Sequence, residues 1–101
     1  MADSYDPTEG VFGISVAADL VGTGVQNLRA YEKAGLVDPQ RTPGGTRLYS
    51  MADIERLRQI TALLEEGLNL AGIAKVLRLE ADNARLRRQI SAERNRRRSA
   101  S

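Results

Sequence analysis

The first apolar residues that recur with helical spacing predict a short helix, about Val16 to Val21. Ser15 comes just before this stretch, and its hydroxyl can accept hydrogen bonds from the first N–H groups as an N-cap does. Gly22 supplies a stop. The apolar side chains fall on one helical face and are expected to be buried: Val16, Ala17, Leu20 and Val21.

A second helix is predicted at about Val25 to Ala34, with Gly24 as its cap and Gly35 just after its end. The inner stripe consists of Val25, Leu28 and the ring of Tyr31. The outward face is polar and contains Gln26, Asn27, Arg29, Ala30 and Lys33. Two short helices joined by a tight Gly-Thr-Gly turn predict a helix-turn-helix.

The stretch from Leu36 to Tyr49 is expected to be extended. Pro39 and Pro43 favour extended backbone at the residues before them and are incompatible with a helix here. Pro43-Gly44-Gly45 is a turn signal with arginine-containing segments on both sides. We therefore predict a small two-stranded wing.

Two more helices are predicted after the wing. Ser50 and Asp53 form a capping box that opens a third helix, ending near Glu66 before Gly67. Its buried side is expected to consist of Ile54, Leu57, Thr61 and Leu64. Asn69 caps a fourth helix whose inward residues are Ile73, Val76 and Leu77.

The C-terminal part contains a heptad pattern. No Gly or Pro occurs from Ile73 to Arg98, so a helical tail is expected, either continuous with the fourth helix or broken near Arg78. With Val76 at an a position, the alternating a and d positions are Val76, Leu79, Asn83, Leu86 and Ile90. This short seam predicts dimerisation, and an Asn at an a position can fix its register.

The predicted fold class is mainly α: a winged helix-turn-helix with a two-stranded wing and a C-terminal helical dimerisation segment. Residues 1–13 are acidic, contain Pro7, and show no sustained periodicity, so a flexible N-terminal arm is predicted. Residues 14–78 form the predicted DNA-binding domain, and residues 79–101 the dimerisation segment with an arginine-rich tail.

Composition excludes several classes of function. Among 101 residues there is no Cys and no His, which removes disulfides, thiolate metal sites and the commonest general base. No apolar run approaches the length of a membrane span, and the acidic N-terminus does not resemble a signal peptide, so a cytoplasmic location is expected. The acidic pairs at 53/55 and 65/66 lack a His, Cys or Lys partner at sensible spacing, so no enzyme activity, metal or cofactor is predicted. Glu32, Asp38 and Glu80 are interpreted as surface charges.

The net charge of +2 is unevenly distributed. Residues 1–84 carry 8 basic and 12 acidic side chains, whereas residues 85–101 carry 7 basic and 1 acidic side chain. Any DNA contact by the folded part must therefore depend on a local patch. The tail arginines are open to three interpretations: a solvated charge run, a phosphate contact, or contact with an acidic protein.

The local patch is the polar face of the second helix together with the wing. Asn and Gln can bind the N6/N7 edge of adenine and Arg the O6/N7 edge of guanine, and Gln26, Asn27 and Arg29 lie where a helix-turn-helix makes base contacts. Arg41, Arg47 and the Tyr49 hydroxyl are suited to phosphates, and glycine lets backbone N–H groups approach them. The alternatives are a solvated helix surface and a generic hairpin. The predicted DNA-binding residues are Ser15, Gln26, Asn27, Arg29, Tyr31, Lys33, Arg41, Thr42, Gly45, Thr46, Arg47 and Tyr49.

Residues Val16 to Tyr49 resemble the DNA-binding module of the MerR family. The shared pattern is Arg-x-Tyr-Glu-x-x-Gly-Leu followed by Pro-x-Arg and Gly-x-Arg-x-Tyr. In this chain it consists of Arg29, Tyr31, Glu32, Gly35, Leu36, Pro39, Arg41, Gly45, Arg47 and Tyr49. The resemblance implies a homodimer that binds an inverted repeat in double-stranded DNA through two winged modules joined by an antiparallel coiled coil.

Two further stretches, 11–18 and 66–73, are similar to the heat-shock repressor branch of that family, HspR. This similarity implies a repressor of chaperone genes with a DnaK-type chaperone as co-repressor. No effector domain for a small molecule is expected after the helical tail.

Two other classes of protein remain open at this point. One is an excisionase or other architectural protein of phage type, which bends DNA with the same fold and stacks in series; the heptad seam disfavours it. The other is an interaction protein that has lost DNA binding, which the intact Arg29, Arg41 and Arg47 disfavour.

Overall fold

The computed structural model describes residues 6–100. Within this range the chain forms four helices and one two-stranded antiparallel sheet, which confirms the predicted fold class. The elements in chain order are α1 (Ile14–Val21), α2 (Val25–Lys33), β1 (Gln40–Arg41), β2 (Arg47–Leu48), α3 (Met51–Glu65) and α4 (Leu70–Ala100).

Helix α1 begins two residues earlier than predicted. Gly13 is its N-cap, and Ser15 lies inside the first turn and caps nothing, so the prediction of Ser15 as N-cap is wrong. The earlier start also changes the buried face. Val16 and Leu20 are exposed, while the stripe towards the core follows i, i+3, i+4, i+7 spacing and consists of Ile14, Ala17, Ala18 and Val21.

Helix α2 ends in a Schellman motif. Gly35 has a φ of 78°, and its N–H donates to the carbonyl oxygen of Glu32 at 2.9 Å. The N–H of Leu36 donates to the carbonyl oxygen of Tyr31 at 3.0 Å, and the Leu36 side chain is buried. The apolar residue after the glycine thus folds back onto the core and directs the chain into the wing.

The wing is short and tightly turned. Gln40 pairs with Leu48 and Arg41 with Arg47. Gly45 has a φ of 89°, a conformation that residues with a side chain rarely adopt, so the turn between the strands requires glycine there. The two arginines consequently face each other across the hairpin.

The N-terminal segment is joined to the wing. The N–H of Tyr49 donates to the carbonyl oxygen of Phe12 at 2.7 Å, and the N–H of Phe12 donates back to Tyr49 at 3.0 Å. Further along, the N–H of Gly10 donates to Oε1 of Gln40, and Pro7 accepts from the N–H of Ala52. These bonds join residues 7–12 to the wing and to the start of α3, whereas the flexibility of the N-terminal arm stays a prediction. Its first five residues lie outside the described range.

Helices α3 and α4 have side-chain caps, as predicted. Ser50 and Asp53 form the reciprocal capping box of α3, and Oδ1 of Asn69 accepts from the N–H of Gly72 at 2.8 Å in the first turn of α4. Helix α4 continues without a break near Arg78. Whether residue 78 divides two functional parts stays a prediction.

The core is formed by all four helices and the end of the wing. In α3, Ile60 is fully buried in place of the predicted Thr61. Thr61 is half-buried, and its hydroxyl donates to the carbonyl oxygen of Leu57. Leu64 and Val76, also predicted inward, are half-buried. None of the helices in the described range carries a stretch both long and apolar enough to cross a bilayer. The largest fully buried side chains are Leu28, Tyr49, Ile54, Leu57, Ile60 and Ile73.

Candidate nucleic-acid interface

The outward face of α2 is exposed, as the sequence predicted. Leu28 and Tyr31 anchor the opposite face in the core, and this fixes the direction of the polar side chains. The exposed residues are Gln26, Asn27, Arg29, Ala30 and Lys33. The face combines two amides with two cations, which are the side chains that bind base edges and phosphates.

Asn27 is held by the turn that precedes its helix. Its Nδ2 atom donates to Oγ1 of Thr23 at 2.7 Å. One amide hydrogen is therefore used within the protein, while the Oδ1 atom and the second hydrogen remain available on the exposed face. This bond orients the amide but removes some of its freedom to bind a base.

The arginines of the wing are linked through α2 by one carboxylate. Nη2 of Arg41 donates to Oε2 of Glu32 at 2.6 Å, and Nε of Arg47 donates to Oε1 of the same group. Arg41 also donates through Nη1 to the carbonyl oxygen of Gly45 at 3.4 Å. Helix α2, both strands and the turn of the wing thus form one connected polar cluster.

The tip of the wing uses most of its own N–H groups. The N–H of Gly45 donates to the carbonyl oxygen of Thr42 at 2.8 Å, and the N–H of Thr46 donates to Oγ1 of Thr42 at 3.1 Å. The N–H of Gly45 thus has an acceptor within the hairpin, and a DNA contact by Gly45 stays a prediction. In the part of the chain that the structure describes, the N–H of Gly44 has no such acceptor.

Two tyrosines predicted to contact DNA lie in the core. Tyr31 and Tyr49 are almost completely buried. The hydroxyl of Tyr49 is itself buried, so the prediction that it reaches a phosphate from the surface is wrong. The ring of Tyr31 lies on the inner side of α2, as predicted, and a DNA contact by this residue stays a prediction. The Tyr49 hydroxyl has no hydrogen-bond partner among the described residues. Burial raises the pKa of this phenol above its ordinary value, and the negative charge of Glu32 adds to the rise, although Arg47 opposes it.

The two helices of the helix-turn-helix begin without side-chain caps. Gly13 and Gly24 are their N-caps, and neither has a side chain that could satisfy the first N–H groups. Ser15 is exposed in the first turn of α1. Helix N-termini of this kind attract anions through free N–H groups and the helix dipole.

Most of the predicted dimer seam is exposed. Leu79, Leu86 and Ile90 each expose more than half of their surface, and Asn83 is exposed beside them. Val76 is half-buried. The apolar stripe thus extends along α4 away from the core of this single chain.

Sequence reasoning missed the role of Glu32 and Thr23. Glu32 was interpreted as a surface charge, but its side chain is only 17% exposed and contacts two arginines. The available signal was charge complementarity, because an acidic residue near the end of α2 precedes a basic hairpin by nine residues. Glu80, also interpreted as a surface charge, accepts a hydrogen bond from Gln59 at 2.7 Å. Asp38 is exposed, as expected.

Across residues 6–100 no cluster of three or more acidic side chains is arranged to hold a metal ion. The side chains that do lie together form a basic, hydrogen-bonding surface: a polar helix face, two oriented guanidinium groups and two helix N-termini without side-chain caps.

Comparison with known families identifies this arrangement. The model of the MerR HTH family regulatory proteins matches residues 12–80, which include the helix-turn-helix, the wing, α3 and the start of α4. The chain belongs to the MerR family. The match ends where the exposed stripe of α4 begins, so it covers the whole candidate interface.

Individual MerR relatives agree with this assignment. The chain is 51% identical over 85 residues to the heat shock protein HspR of Streptomyces coelicolor, covering 81% of this chain and 56% of HspR. The N-terminal part of MtaN, the multidrug transporter activator of Bacillus subtilis, aligns with a TM-score of 0.63 at 35% identity, covering 66% of this chain and 64% of that one.

A structure of the MerR regulator HiNmlR, which lacks a sensor domain and is bound to promoter DNA, aligns with a TM-score of 0.60 at 27% identity. This alignment covers 64% of our chain and 52% of HiNmlR. The chain spans a little over half the length of HspR and of HiNmlR, so the likeness concerns the MerR module itself.

Proposed function

We propose that this chain is a sequence-specific DNA-binding transcription regulator that acts as a homodimer on an inverted repeat. The observation that carries the proposal is the polar cluster beside α2, in which Arg41 and Arg47 are held next to an exposed face of amides and cations. Such a regulator acts on the chromosome, and we therefore assign it to the bacterial cytoplasm.

Within this proposal, the contacts divide into two groups. Gln26, Asn27 and Arg29 bind base edges or the adjoining backbone in the major groove, because they occupy the N-terminal half of the recognition helix. The second group contacts the sugar-phosphate backbone of the DNA and fixes the register of the protein on the duplex. It consists of Ser15, Lys33, Arg41, Thr42, Thr46 and Arg47.

The uncapped start of α1 supports a further phosphate contact. Its first N–H groups follow Gly13, which offers no side-chain acceptor, and Ser15 adds an exposed hydroxyl in the same turn. A phosphate at this position would satisfy N–H groups that water satisfies in the free protein. We include α1 in the proposed interface for this reason.

The exposed stripe on α4 supports the homodimer. Apolar side chains at alternating a and d positions are the pattern by which two helices bury a common seam. Burial of Leu79, Leu86 and Ile90 against a second copy would remove from water apolar surface that the single chain exposes. A dimer also provides two recognition helices, as an inverted repeat requires.

The relatives support the biological role. Identity of 51% with a heat shock protein named HspR favours a role in the heat-shock response. The resemblance to that branch extends this role to repression of chaperone genes, with a DnaK-type chaperone as co-repressor. The family match together with the exposed seam favours a regulator over an excisionase of phage type, which stacks in series without a dimer seam.

Genome-wide footprinting of the tagged protein in its own host tests this role. The proposal predicts a small number of sites with two-fold symmetry, located upstream of chaperone genes, that are vacated on heat shock. Sites upstream of other genes would contradict the heat-shock role but would still support a role as a transcription regulator. Periodic occupancy next to recombination sites would favour the excisionase.

A further inference from the structure

Glu32 has an unusual place in the proposed interface, because it is an acid between the two arginines that face a polyanion. Its carboxylate accepts from Nη2 of Arg41 and from Nε of Arg47. An acid at this position either competes with DNA phosphate for the guanidinium groups or supports them from behind. The two roles predict opposite effects of removing it.

Burial decides between these roles. The side chain of Glu32 is 17% exposed, whereas those of Arg41 and Arg47 are 46% and 32% exposed. The carboxylate is thus the inner member of the cluster, and the guanidinium groups are its outer members. A phosphate that approaches from solvent meets the arginines first and does not have to displace Glu32.

The donors left over agree with this arrangement. A guanidinium carries five N–H donors. Arg47 uses Nε for Glu32, so both of its Nη groups remain available to a phosphate. Arg41 uses one N–H for Glu32 and one for the carbonyl oxygen of Gly45, which leaves the others unused within the described part of the chain.

We propose that Glu32 is a positioning residue that fixes the wing against the recognition helix and directs both guanidinium groups towards one stretch of DNA backbone. This inference rests on the proposed function. Glu32 lies one residue after Tyr31, whose ring is anchored in the core, so the carboxylate has a rigid base. The geometry of the wing is thereby coupled to that of the helix that reads the bases.

The consequence concerns specificity more than affinity. A flexible arginine can still bind phosphate on any duplex, but it must be ordered when both recognition helix and wing have to fit one site. Loss of the Glu32 charge also makes the surface more positive. Removal of the carboxylate should therefore strengthen binding to random DNA and weaken binding to the preferred site.

The experiment compares Glu32→Gln with the wild type on two 30-base-pair duplexes: one that the wild type enriches from a randomised pool, and one of scrambled sequence. We expect binding to the scrambled duplex to tighten about twofold to threefold, as one unit charge near a phosphate in water implies. Binding to the enriched duplex should weaken about tenfold, the cost of ordering two long side chains. The salt dependence should not become shallower, because both arginines remain.

Glu65→Gln is the matched control, because it removes one negative charge from the exposed end of α3. It should leave the ratio of the two affinities unchanged. A ratio for Glu32→Gln within twofold of the wild type would overturn the inference. Equal weakening on both duplexes, together with a shallower salt dependence, would also overturn it, since that result would mean that phosphate contacts were lost.

Two further measurements keep the test decisive. If Glu32→Gln does not fold, Glu32→Asp serves instead, because it retains the charge on a shorter side chain. This variant should lower the ratio of the affinity for the enriched duplex to the affinity for the scrambled duplex severalfold. Without DNA, hydrogen exchange at the Gly45 and Thr46 amides should become about tenfold faster in Glu32→Gln; unchanged exchange would contradict a positioning role. If the wild type enriches no duplex, the proposed function fails, and the exchange result still decides the role of Glu32.

Discussion

The side-chain amide of Asn27 is bonded to the hydroxyl of Thr23 at 2.7 Å, so a residue that we propose binds base edges is oriented by the turn that joins the two helices of the helix-turn-helix. The bond spans one helical turn and uses one of the two amide hydrogens. The Thr23 hydroxyl thus fixes the orientation of the Asn27 amide at the start of α2.

The first prediction concerns this pair. Asn27→Ala should cost about 1–3 kcal/mol at particular base pairs, because a bidentate contact to a base is lost. Thr23→Val should cause a smaller loss at the same base pairs, because the amide then loses its orientation. A double-mutant cycle on substituted duplexes measures the coupling. Equal loss at every base pair would show that Asn27 contacts the backbone instead.

The second prediction separates phosphate contacts from base contacts. Arg47→Ala should weaken binding to all duplexes about equally, and it should reduce the slope of log K against log salt by about one unit per copy. Arg56→Ala, which removes an exposed cation from α3 instead, is the matched control and should have little effect on the slope. A loss confined to certain sequences would contradict a backbone role for Arg47.

The third prediction follows from the buried hydroxyl of Tyr49. Tyr49→Phe removes a polar group that has no partner among the described residues, so the free energy of unfolding should stay constant or rise by up to about 1 kcal/mol. DNA affinity should not change, because the hydroxyl is not at the surface. Loss of affinity with unchanged stability would restore Tyr49 as a DNA contact.

The same residue makes stability depend on pH in the alkaline range. The pKa of Tyr49 is raised in the folded chain, so the folded state retains a proton that the unfolded state releases. Stability is complete below the ordinary pKa of tyrosine and falls as pH rises through the raised value. Chemical denaturation between pH 9 and about pH 12 should show this fall in the wild type and a smaller one in Tyr49→Phe.

The fourth prediction tests the contact between the N-terminal segment and the wing. A Cβ on Gly10 would lie 2.6 Å from the carbonyl oxygen of Leu48, which is backbone and cannot easily yield. Gly10→Ala should therefore destabilise the fold by about 1–3 kcal/mol. Gly44→Ala, where the nearest atom is 3.9 Å away, is the control and should cost less. Equal melting curves would contradict the docking of this segment.

The fifth prediction concerns the seam on α4. Leu86→Asp should produce monomers, because it introduces a charge at the centre of the proposed dimer contact. Ala84→Asp introduces the same charge at an exposed position off the seam and should leave the dimer intact. Sedimentation velocity distinguishes the two. An unchanged profile for Leu86→Asp would reject the seam.

Much of the fold could be predicted from local signals. Gly22, Gly35 and Gly67 end helices in the left-handed conformation, and Ser50 and Asn69 begin them, because caps and stops depend on a few neighbouring residues. Such signals are visible in the sequence without knowledge of tertiary contacts.

The parts that could not be predicted depend on contacts between distant residues. In α1 the buried face differs from the predicted one, because the small residues Ala17 and Ala18 are buried in the core. The larger apolar residues Val16 and Leu20, which the sequence pattern favoured, are exposed. Residues 7–13 show no periodicity because hydrogen bonds join them to the wing and to the start of α3, and Phe12 alone among the side chains of this segment packs against the core.

The role of Glu32 also lay outside local reasoning, since its partners are nine and fifteen residues away. The helix pattern correctly places Glu32 within α2, but it gives no reason for the wing to fold back towards this carboxylate. Within the site, the amides and cations of α2 could be predicted, whereas the shared carboxylate could not.

The most direct test of the account is a salt titration of the purified protein against a duplex enriched from its own genome, followed by fluorescence anisotropy between 50 and 200 mM salt. If Lys33, Arg41 and Arg47 of two copies each neutralise a phosphate, log K should fall with log salt with a slope of about −5. Absence of binding to any genomic duplex at the lowest salt concentration, or binding that does not depend on salt, would contradict the account.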